Sequence, residues 1–427
     1  MSRKRKKSKN KKIAFVVLLI ILTLSSAVVY YLINEKNIKE QIKSNTIKEI
    51  QNHYNNIVIT NKETNLYDKD ENEVGRLGKN VELTLEEEQI TAETKYFKIT
   101  NLDEEYYIKY QDVEKLNNLS SFDDRYKYYI VFNENIVTSN KTSFYDKEDN
   151  LVYEFNKSYD LPIIIKDNNR YGVEFEDRLL YVKIADAIEI KSNQNTDKKN
   201  SSGIGVLNYH AFYDETIPEE RASCNTEICH SKAQFKTHLD YFKENDILTV
   251  KMEEVEMYID GKIQLPKSVL LTIDDGGRTK IAIDMLTEYK MYATIFLVTS
   301  WFEPNDYYKT EYIELHSHSH DMHNTGTCKT GQGGGIQCLP ESDIQNDLKI
   351  SREKLNNTTY FCYPFYEYNE YSIRMLKQAG FTMAFIGESS KSDNLVHVGS
   401  DKFRLRRFVI VTYTTMNNLK KYLDQIK

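Results

Sequence analysis

No C-x-x-C spacing occurs anywhere in the 427 residues, which argues against a zinc site built from thiolates. Positive charge is outnumbered by negative charge beyond one short stretch. The chain carries 57 Lys and Arg against 64 Asp and Glu, a net charge of −7. Its first twelve residues hold eight Lys/Arg and no acid, so the remainder carries −7 − 8 = −15. A surface that acidic does not hold nucleic acid or an anionic polymer by bulk charge, so no nucleic-acid partner is expected. Tryptophan is almost missing too, with one residue against 32 tyrosines. That excess of tyrosine suits sheet-rich regions with half-exposed aromatic faces.

What is present begins with the amino terminus. The basic run Arg3 to Lys12 precedes 21 uncharged residues, Ile13 to Ile33, and then Asn34-Glu-Lys. A helix of that length spans a bilayer, and the flanking positive charge keeps the start of the chain cytoplasmic. The alternative is a cleaved signal peptide ending near Ser25-Ser26-Ala27, but strongly apolar residues continue past that point. The expectation is a single-pass cell-membrane protein with a basic tail (1–12), a transmembrane anchor (13–33) and a charged, helix-prone stalk (34–54). Everything after the anchor then lies outside the cytoplasm. In that setting Cys224/Cys229 and Cys328/Cys338 are candidates for disulfides closing small loops, and unpaired thiols are the other possibility.

At 427 residues two or three domains are expected. The middle of the chain repeats itself. Thr64-Asn-Leu-Tyr67-Asp-Lys-Asp-Glu-Asn-Glu-Val74 returns as Thr142-Ser-Phe-Tyr145-Asp-Lys-Glu-Asp-Asn-Leu-Val152, and Tyr107-Ile-Lys returns as Tyr181-Val-Lys. Short alternating runs with Asp/Asn/Gly turns between them predict two small antiparallel barrels, over 55–117 and 118–190. Each copy resembles a bacterial SH3-like domain, which implies wall or glycan binding; a spacer role is the plainer alternative. Residues 191–202 are polar and read as a linker.

From 203 to 427 the pattern changes to strand and helix in alternation. Val206 to His210 and Ala293 to Val298 read as strands; Gln234 to Asn245, Met252 to Tyr258 and Ile281 to Met291 read as helices. This alternation points to an α/β layer or barrel of parallel strands. Residues 324–340, with five glycines and two cysteines, form a long loop of the kind that often lines an active site.

The chemistry concentrates in two places. Ser268-Val-Leu-Leu-Thr-Ile-Asp274-Asp275-Gly-Gly is a buried strand stopping at a tight turn, where both carboxylates can face one cleft. One can bind a cation while the other serves as general base. About forty residues on, Glu314-Leu-His-Ser-His318-Ser-His-Asp-Met-His323 packs four of the nine histidines into eight positions. Two histidines and one carboxylate suit a borderline divalent cation with positions left open. His316 with His320, or His318 with His323, fit that pattern equally by spacing.

These two stretches, together with Phe361-Cys-Tyr363-Pro364-Phe365, resemble the first three motifs of the NodB-type polysaccharide deacetylases, carbohydrate esterase family 4. The resemblance covers about residues 203–427. It implies a deformed (β/α) barrel, with Asp274 as general base and Asp275, His318 and His323 holding one divalent metal, zinc on ligand type. The five-residue gap between the histidines is similar to the poly-N-acetylglucosamine branch (IcaB and PgaB), whose domain is circularly permuted. Val206-Leu-Asn-Tyr209-His210 then resembles the strand of the general acid, making His210 the acid; His397 is the competing candidate. The Tyr363-Pro364-Phe365 turn is expected to supply an oxyanion N–H and aromatics for a sugar ring. Arg407 is the candidate partner of Asp274. Tyr366 stands where the family usually has Gly. The activity implied is metal-dependent de-N-acetylation of an N-acetylglucosamine-containing cell-surface glycan. Wall peptidoglycan is the first-choice substrate and poly-N-acetylglucosamine exopolysaccharide the alternative. A glycan-binding wall protein with an impaired site is the reading from another class.

Overall fold

The structure, a computed structural model, describes residues 31–38, 56–91, 96–193, 199–387 and 394–427. Residues 31–38 are helical. The expected basic tail, nearly all of the expected anchor and most of the stalk lie outside the described residues. Among the described residues, no helix is long and apolar enough to cross a membrane. The described residues up to Asp123, with Val137–Asp160 and Glu174–Glu189, form one compact unit; Asp124–Ile136, Leu161–Val173 and Ile190–Lys427 form the other.

The first unit is built of antiparallel hairpins. Ile57–Thr60 and Thr64–Tyr67 alternate buried and half-buried residues, the period of strands with one face on a core. The sequence repeat has a counterpart in its turns. Thr64–Tyr67 pairs with Glu73–Leu77, and Thr142–Tyr145 pairs with Leu151–Phe155. In the first hairpin Asp68 accepts the Asn72 N–H at 2.9 Å, and in the second Asp146 accepts that of Asn150 at 2.8 Å. Glu71 and Asp149 take the left-handed position in these turns, at φ 65° and 64°. Glu73–Leu77 also pairs with Leu151–Phe155, where Arg76 clamps the buried Glu154 at 2.8 and 3.0 Å.

The second unit is organised by six parallel strands. In spatial order they are Met383–Phe385, Tyr360–Cys362, Ile313–Ser317, Ala293–Leu297, Ser268–Asp275 and Ile204–Tyr209. Ser268–Asp275 is buried along all but its last residue. A central parallel strand covered on both faces must be apolar nearly throughout, which is how its sequence reads. The expected helices form as Lys232–Glu244, Met252–Ile259 and Lys280–Tyr289. Ser231 caps the first, accepting the Gln234 N–H, and Lys290 ends the third in the left-handed conformation at φ 55°. The apolar faces of the first and third join Leu207, Val269, Leu271 and Ile295 in one core cluster. A late segment touches both outer strands: Leu405 pairs with Phe385, and Phe408–Val409 pairs with Leu207–Asn208. Cys224–Cys229 and Cys328–Cys338 are disulfide-bonded, and Cys362 is free and buried.

Candidate active site

Parallel strands bring their carboxyl ends to one side, and in such folds loops at that end carry the chemistry. Here the ends of neighbouring strands deliver His210, Asp274 and Asp275, His318, and the turn after Cys362. The chain thus needs no long-range accident to cluster these groups; the strand register does it.

Asp274 is enclosed. Its Oδ1 accepts from Arg407 Nη1 at 2.7 Å and its Oδ2 from Arg407 Nη2 at 2.8 Å, and Arg407 is itself fully buried. Arg407 also donates to the Ile386 carbonyl at 3.1 Å and to Thr272 Oγ1 at 3.2 Å. Burial pushes the Asp274 carboxyl up, but the Arg407 charge and hydrogen bonds override it and hold the group well below the usual carboxylate range. Cys362 completes this pocket, with its Sγ 3.0 Å from Arg407 Nη2 and 3.6 Å from Asp274 Oδ2.

Asp275 sits differently. Its φ of 70° breaks the strand alternation and turns its side chain into the same cleft as its neighbour. Its Oδ1 is buried without a hydrogen-bond partner and lies 3.4 Å from both His318 Nε2 and His323 Nε2. His318 Nδ1 lies 2.8 Å from the Cys362 carbonyl. A carbonyl only accepts, so Nδ1 carries a proton, and Nε2, the nitrogen that faces Asp275, is left to hold either a second proton or a cation. Burial disfavours a charged His318, yet Cys362 and the two carboxylates draw its pKa well above the ordinary value, so the pocket favours positive charge. Burial, followed by the nearby His318, lowers His323 to about 4, leaving a neutral imidazole. An orphaned carboxylate oxygen and two converging imidazole nitrogens, all within 4.8 Å of one another, fit a divalent cation in donor type and spacing. His316 and His320 are not part of this group. His316 Nδ1 lies 2.7 Å from Thr358 Oγ1, and His320 Nδ1 lies 3.0 Å from Thr299 Oγ1.

His210 stands across the cleft, its Nε2 3.9 Å from Asp274 Oδ2, and burial lowers its pKa. The Tyr366 hydroxyl donates to Asn208 Oδ1 at 2.7 Å and lies 3.4 Å from His210 Nε2. His397 is at the wrong end. Its strand pairs antiparallel with Ile204–Gly205, at the amino end of the strand that delivers His210, and its Nδ1 lies 2.6 Å from the Ser202 carbonyl.

The expected Tyr363-Pro364-Phe365 turn is only partly as read from sequence. Tyr363 does not face a sugar: it is fully buried, donates its hydroxyl to the Phe403 carbonyl at 3.2 Å and stacks on Tyr368. Strand alternation puts Tyr363 into the core behind the turn, which the motif alone does not disclose. Phe365 does reach the cleft, its ring 4.2 Å from that of His323. Phe365 and Tyr366 both adopt left-handed backbone, at φ 58° and 64°. Tyr366 therefore occupies a glycine-like conformation at a cost of roughly 1–3 kcal/mol, which explains how a side chain fits where glycine is usual. The N–H groups of Tyr366 and Glu367 are taken up inside the turn, by the Tyr363 and Pro364 carbonyls.

Residues the sequence did not flag hold this site. Asp347 accepts the N–H groups of His320 at 2.7 Å and Asp321 at 2.6 Å, fixing the loop between the two histidines. Cys362 was visible as a lone thiol inside the third motif, but nothing in the string placed it between Asp274 and Arg407. Trp301, the only tryptophan, lies exposed with its ring 5.2 Å from His323.

Residues 262–384 match the family model described as polysaccharide deacetylase. Among curated proteins, the chain is 26% identical over 202 residues to the poly-beta-1,6-N-acetyl-D-glucosamine N-deacetylase of Staphylococcus aureus (strain MRSA252), covering 42% of this chain and 67% of that protein. It is 24% identical over 168 residues to the putative polysaccharide deacetylase YxkH of Bacillus subtilis (strain 168), covering 37% of this chain and 58% of the relative. Solved structures similar to it include IcaB from Ammonifex degensii, at 20% identity and a TM-score of 0.44 over 53% of this chain and 98% of that one. Another is a de-N-acetylase from Aggregatibacter actinomycetemcomitans, at 19% identity and a TM-score of 0.42 over 51% and 99%.

Proposed function

We propose that this chain, which carries a polysaccharide deacetylase domain at residues 262–384, removes acetyl groups from poly-β-1,6-N-acetylglucosamine. One observation carries the reading: a buried Asp274–Arg407 pair, an open Asp275–His318–His323 donor set and His210 converge on one cleft. The substrate choice departs from the first expectation. Peptidoglycan stood first on the SH3-like reading of the repeats, but the name of the Staphylococcus relative favours the exopolysaccharide. We read the strand order and the late segment touching both outer strands as the deformed, permuted barrel expected from sequence.

The geometry supports the following roles. Asp275, His318 and His323 would hold the cation, zinc by donor type. When bound, the cation acidifies water and polarises the acetyl carbonyl. Asp274, kept ionised and aimed by Arg407, accepts the proton that the attacking water gives up. The Phe365 N–H is the donor offered to the developing oxyanion. As the carbon–nitrogen bond breaks, His210 gives a proton from Nε2 to the departing amine, and the products are acetate and a glucosamine unit.

The chain start is read as a retained single-pass anchor at 13–33, with the remaining domains outside the cell and the repeats as wall- or glycan-binding modules. Sequencing the amino end of membrane-bound material checks this, and a start near Val28 would refute it. The function is tested by acetate release from poly-β-1,6-N-acetylglucosamine and from purified peptidoglycan. Release from the exopolysaccharide, lost on chelation and restored by zinc, is expected. Release from peptidoglycan alone would move the substrate, and release from neither would leave a glycan-binding protein.

A further inference from the structure

We infer that Glu367 is a positioning residue that locks the oxyanion turn to the disulfide-closed loop 324–340. The inference rests on the deacetylase reading above. Glu367 directly follows Phe365 and Tyr366, the two consecutive non-glycine residues in left-handed backbone. Such a pair persists only where its surroundings over-determine it. Glu367 supplies that constraint. Its Oε2 accepts the N–H groups of Gly334 at 3.0 Å and Gly333 at 3.2 Å and the Gln337 side-chain amide at 2.8 Å, and its Oε1 accepts the Gln332 N–H. Four donors thus close on one half-buried carboxylate, an anion nest made by successive backbone N–H groups.

The loop is shaped to offer that nest. Gly331 and Gly333 take φ of 60° and 95°, and a Cβ on Gly333 would fall 2.5 Å from the Gly326 nitrogen. Cys328–Cys338 closes it, with the Cys328 N–H donating to the Gly333 carbonyl at 3.0 Å. At its far side the Gly335 N–H donates to the Met322 carbonyl at 3.2 Å, next to His323. One cystine-closed loop therefore joins the segment of the His323 imidazole to the backbone of Phe365, whose ring packs on that imidazole. Removing the Glu367 carboxylate releases the turn without touching the cation donors.

The test uses the full-length chain loaded with zinc and three variants: Glu367→Ala, Glu367→Gln, and Cys328→Ser with Cys338→Ser. Acetate release from a β-1,6-N-acetylglucosamine oligomer gives kcat and KM; bound zinc, the thermal midpoint and trypsin cleavage after Lys329 are read in parallel. Glu367→Ala should lower kcat by about ten- to a hundredfold, the scale of a misplacement of about 1 Å. KM and zinc content should be nearly unchanged, and the loop should become cleavable at Lys329. Glu367→Gln, which still accepts hydrogen bonds, should recover part of the rate. The serine pair should lose a similar factor, and combining it with Glu367→Ala should cost little more, because both act through one loop. Wild-type kcat in Glu367→Ala overturns the inference. So does an equal fall in the Ala and Gln variants in step with the thermal midpoint, which would mark a purely structural role. If the wild-type chain itself releases no acetate while Glu367→Ala still makes the loop cleavable at Lys329, the functional reading fails and the loop anchor stands.

Discussion

Asp274 and Asp275 are consecutive in sequence, yet their surroundings have opposite designs. Asp274 is 1% exposed, with both oxygens on Arg407. Asp275 keeps one buried oxygen without a partner, facing two imidazole nitrogens at 3.4 Å. The first is a closed charge pair and the second an open donor set. A closed pair contributes to stability mainly by not being broken, since removing one partner strands a buried charge. An open set contributes little to the fold alone and leaves donors that a cation would complete. What separates them is the strand's last residue: φ of 70° at Asp275 brings its carboxylate into the same cleft as that of Asp274, but against the two imidazoles instead of Arg407.

That contrast can be broken from either side. Asp274→Asn should cause the largest loss, about 10²–10⁴-fold in kcat as the base disappears. It should also cost about 3–5 kcal/mol in stability, because Arg407 stays buried without a counter-charge. Asp275→Asn should abolish zinc binding yet shift the chelated protein's thermal midpoint far less. Equal midpoints for the two variants under chelation would erase the distinction. Next comes His318→Ala, expected to lose bound zinc and activity with the fold intact. His316→Ala should keep its zinc, since its ring bonds Thr358. Zinc lost from His316→Ala and retained in His318→Ala would show the register of the donor set to be wrong.

A further variant sharpens the other face of the cleft. His210→Ala should retain zinc and lower turnover by about a hundredfold, the scale of a missing general acid. His397→Ala should turn over normally, because its ring lies at the opposite end of the strand, against the Ser202 carbonyl. A reversal of those two results would move the acid to the late segment.

How much of this could be read beforehand follows from what strands encode. The end of Ser268–Asp275, the alternation of strands and helices and the approximate helix limits were legible, because apolar runs and turn residues report burial directly. The donor set was narrowed by motif spacing, and the choice of His318 and His323 over His316 and His320 came from family resemblance rather than from periodicity. Tyr363 was misread, because a motif does not tell which face of a strand a residue takes. Arg407 and His210 both lie outside the residues 262–384 that match the family model. They meet Asp274 only because Ile204–Tyr209 pairs beside Ser268–Asp275 and Phe408–Val409 pairs beside Ile204–Tyr209. The bond from Glu367 to the loop 324–340 was illegible for a plainer reason: three of its four donors are backbone N–H groups, which leave no side-chain pattern.

Glu314 gives the smallest effect and the clearest control on the comparison, since it is a half-buried carboxylate with neither an arginine clamp nor a place in the donor set. It accepts one hydrogen bond, from the Met252 N–H at 2.9 Å. With so little compensation, burial dominates and pushes its pKa up from 4.5 to about 7, against the smaller opposing effects of that N–H and of Lys251. The folded protein therefore binds this proton more tightly than the unfolded chain does. Stability from the protonated form is fully present below about pH 4.5 and is lost as pH rises through about 7. Asp274 has the opposite sign: its depressed pKa gives stability that is present above the unfolded value and lost on acidification. The full loss at Glu314 is at most about 3 kcal/mol, and less because water reaches its half-buried carboxyl. Glu314→Gln keeps an acceptor for the Met252 N–H and removes the titration. The variant and the wild type should melt nearly together at pH 4.5, with the variant the more stable by pH 8. Parallel midpoints across that range would mean that water or a counter-charge already compensates Glu314, and that burial alone does not set the behaviour of this carboxylate.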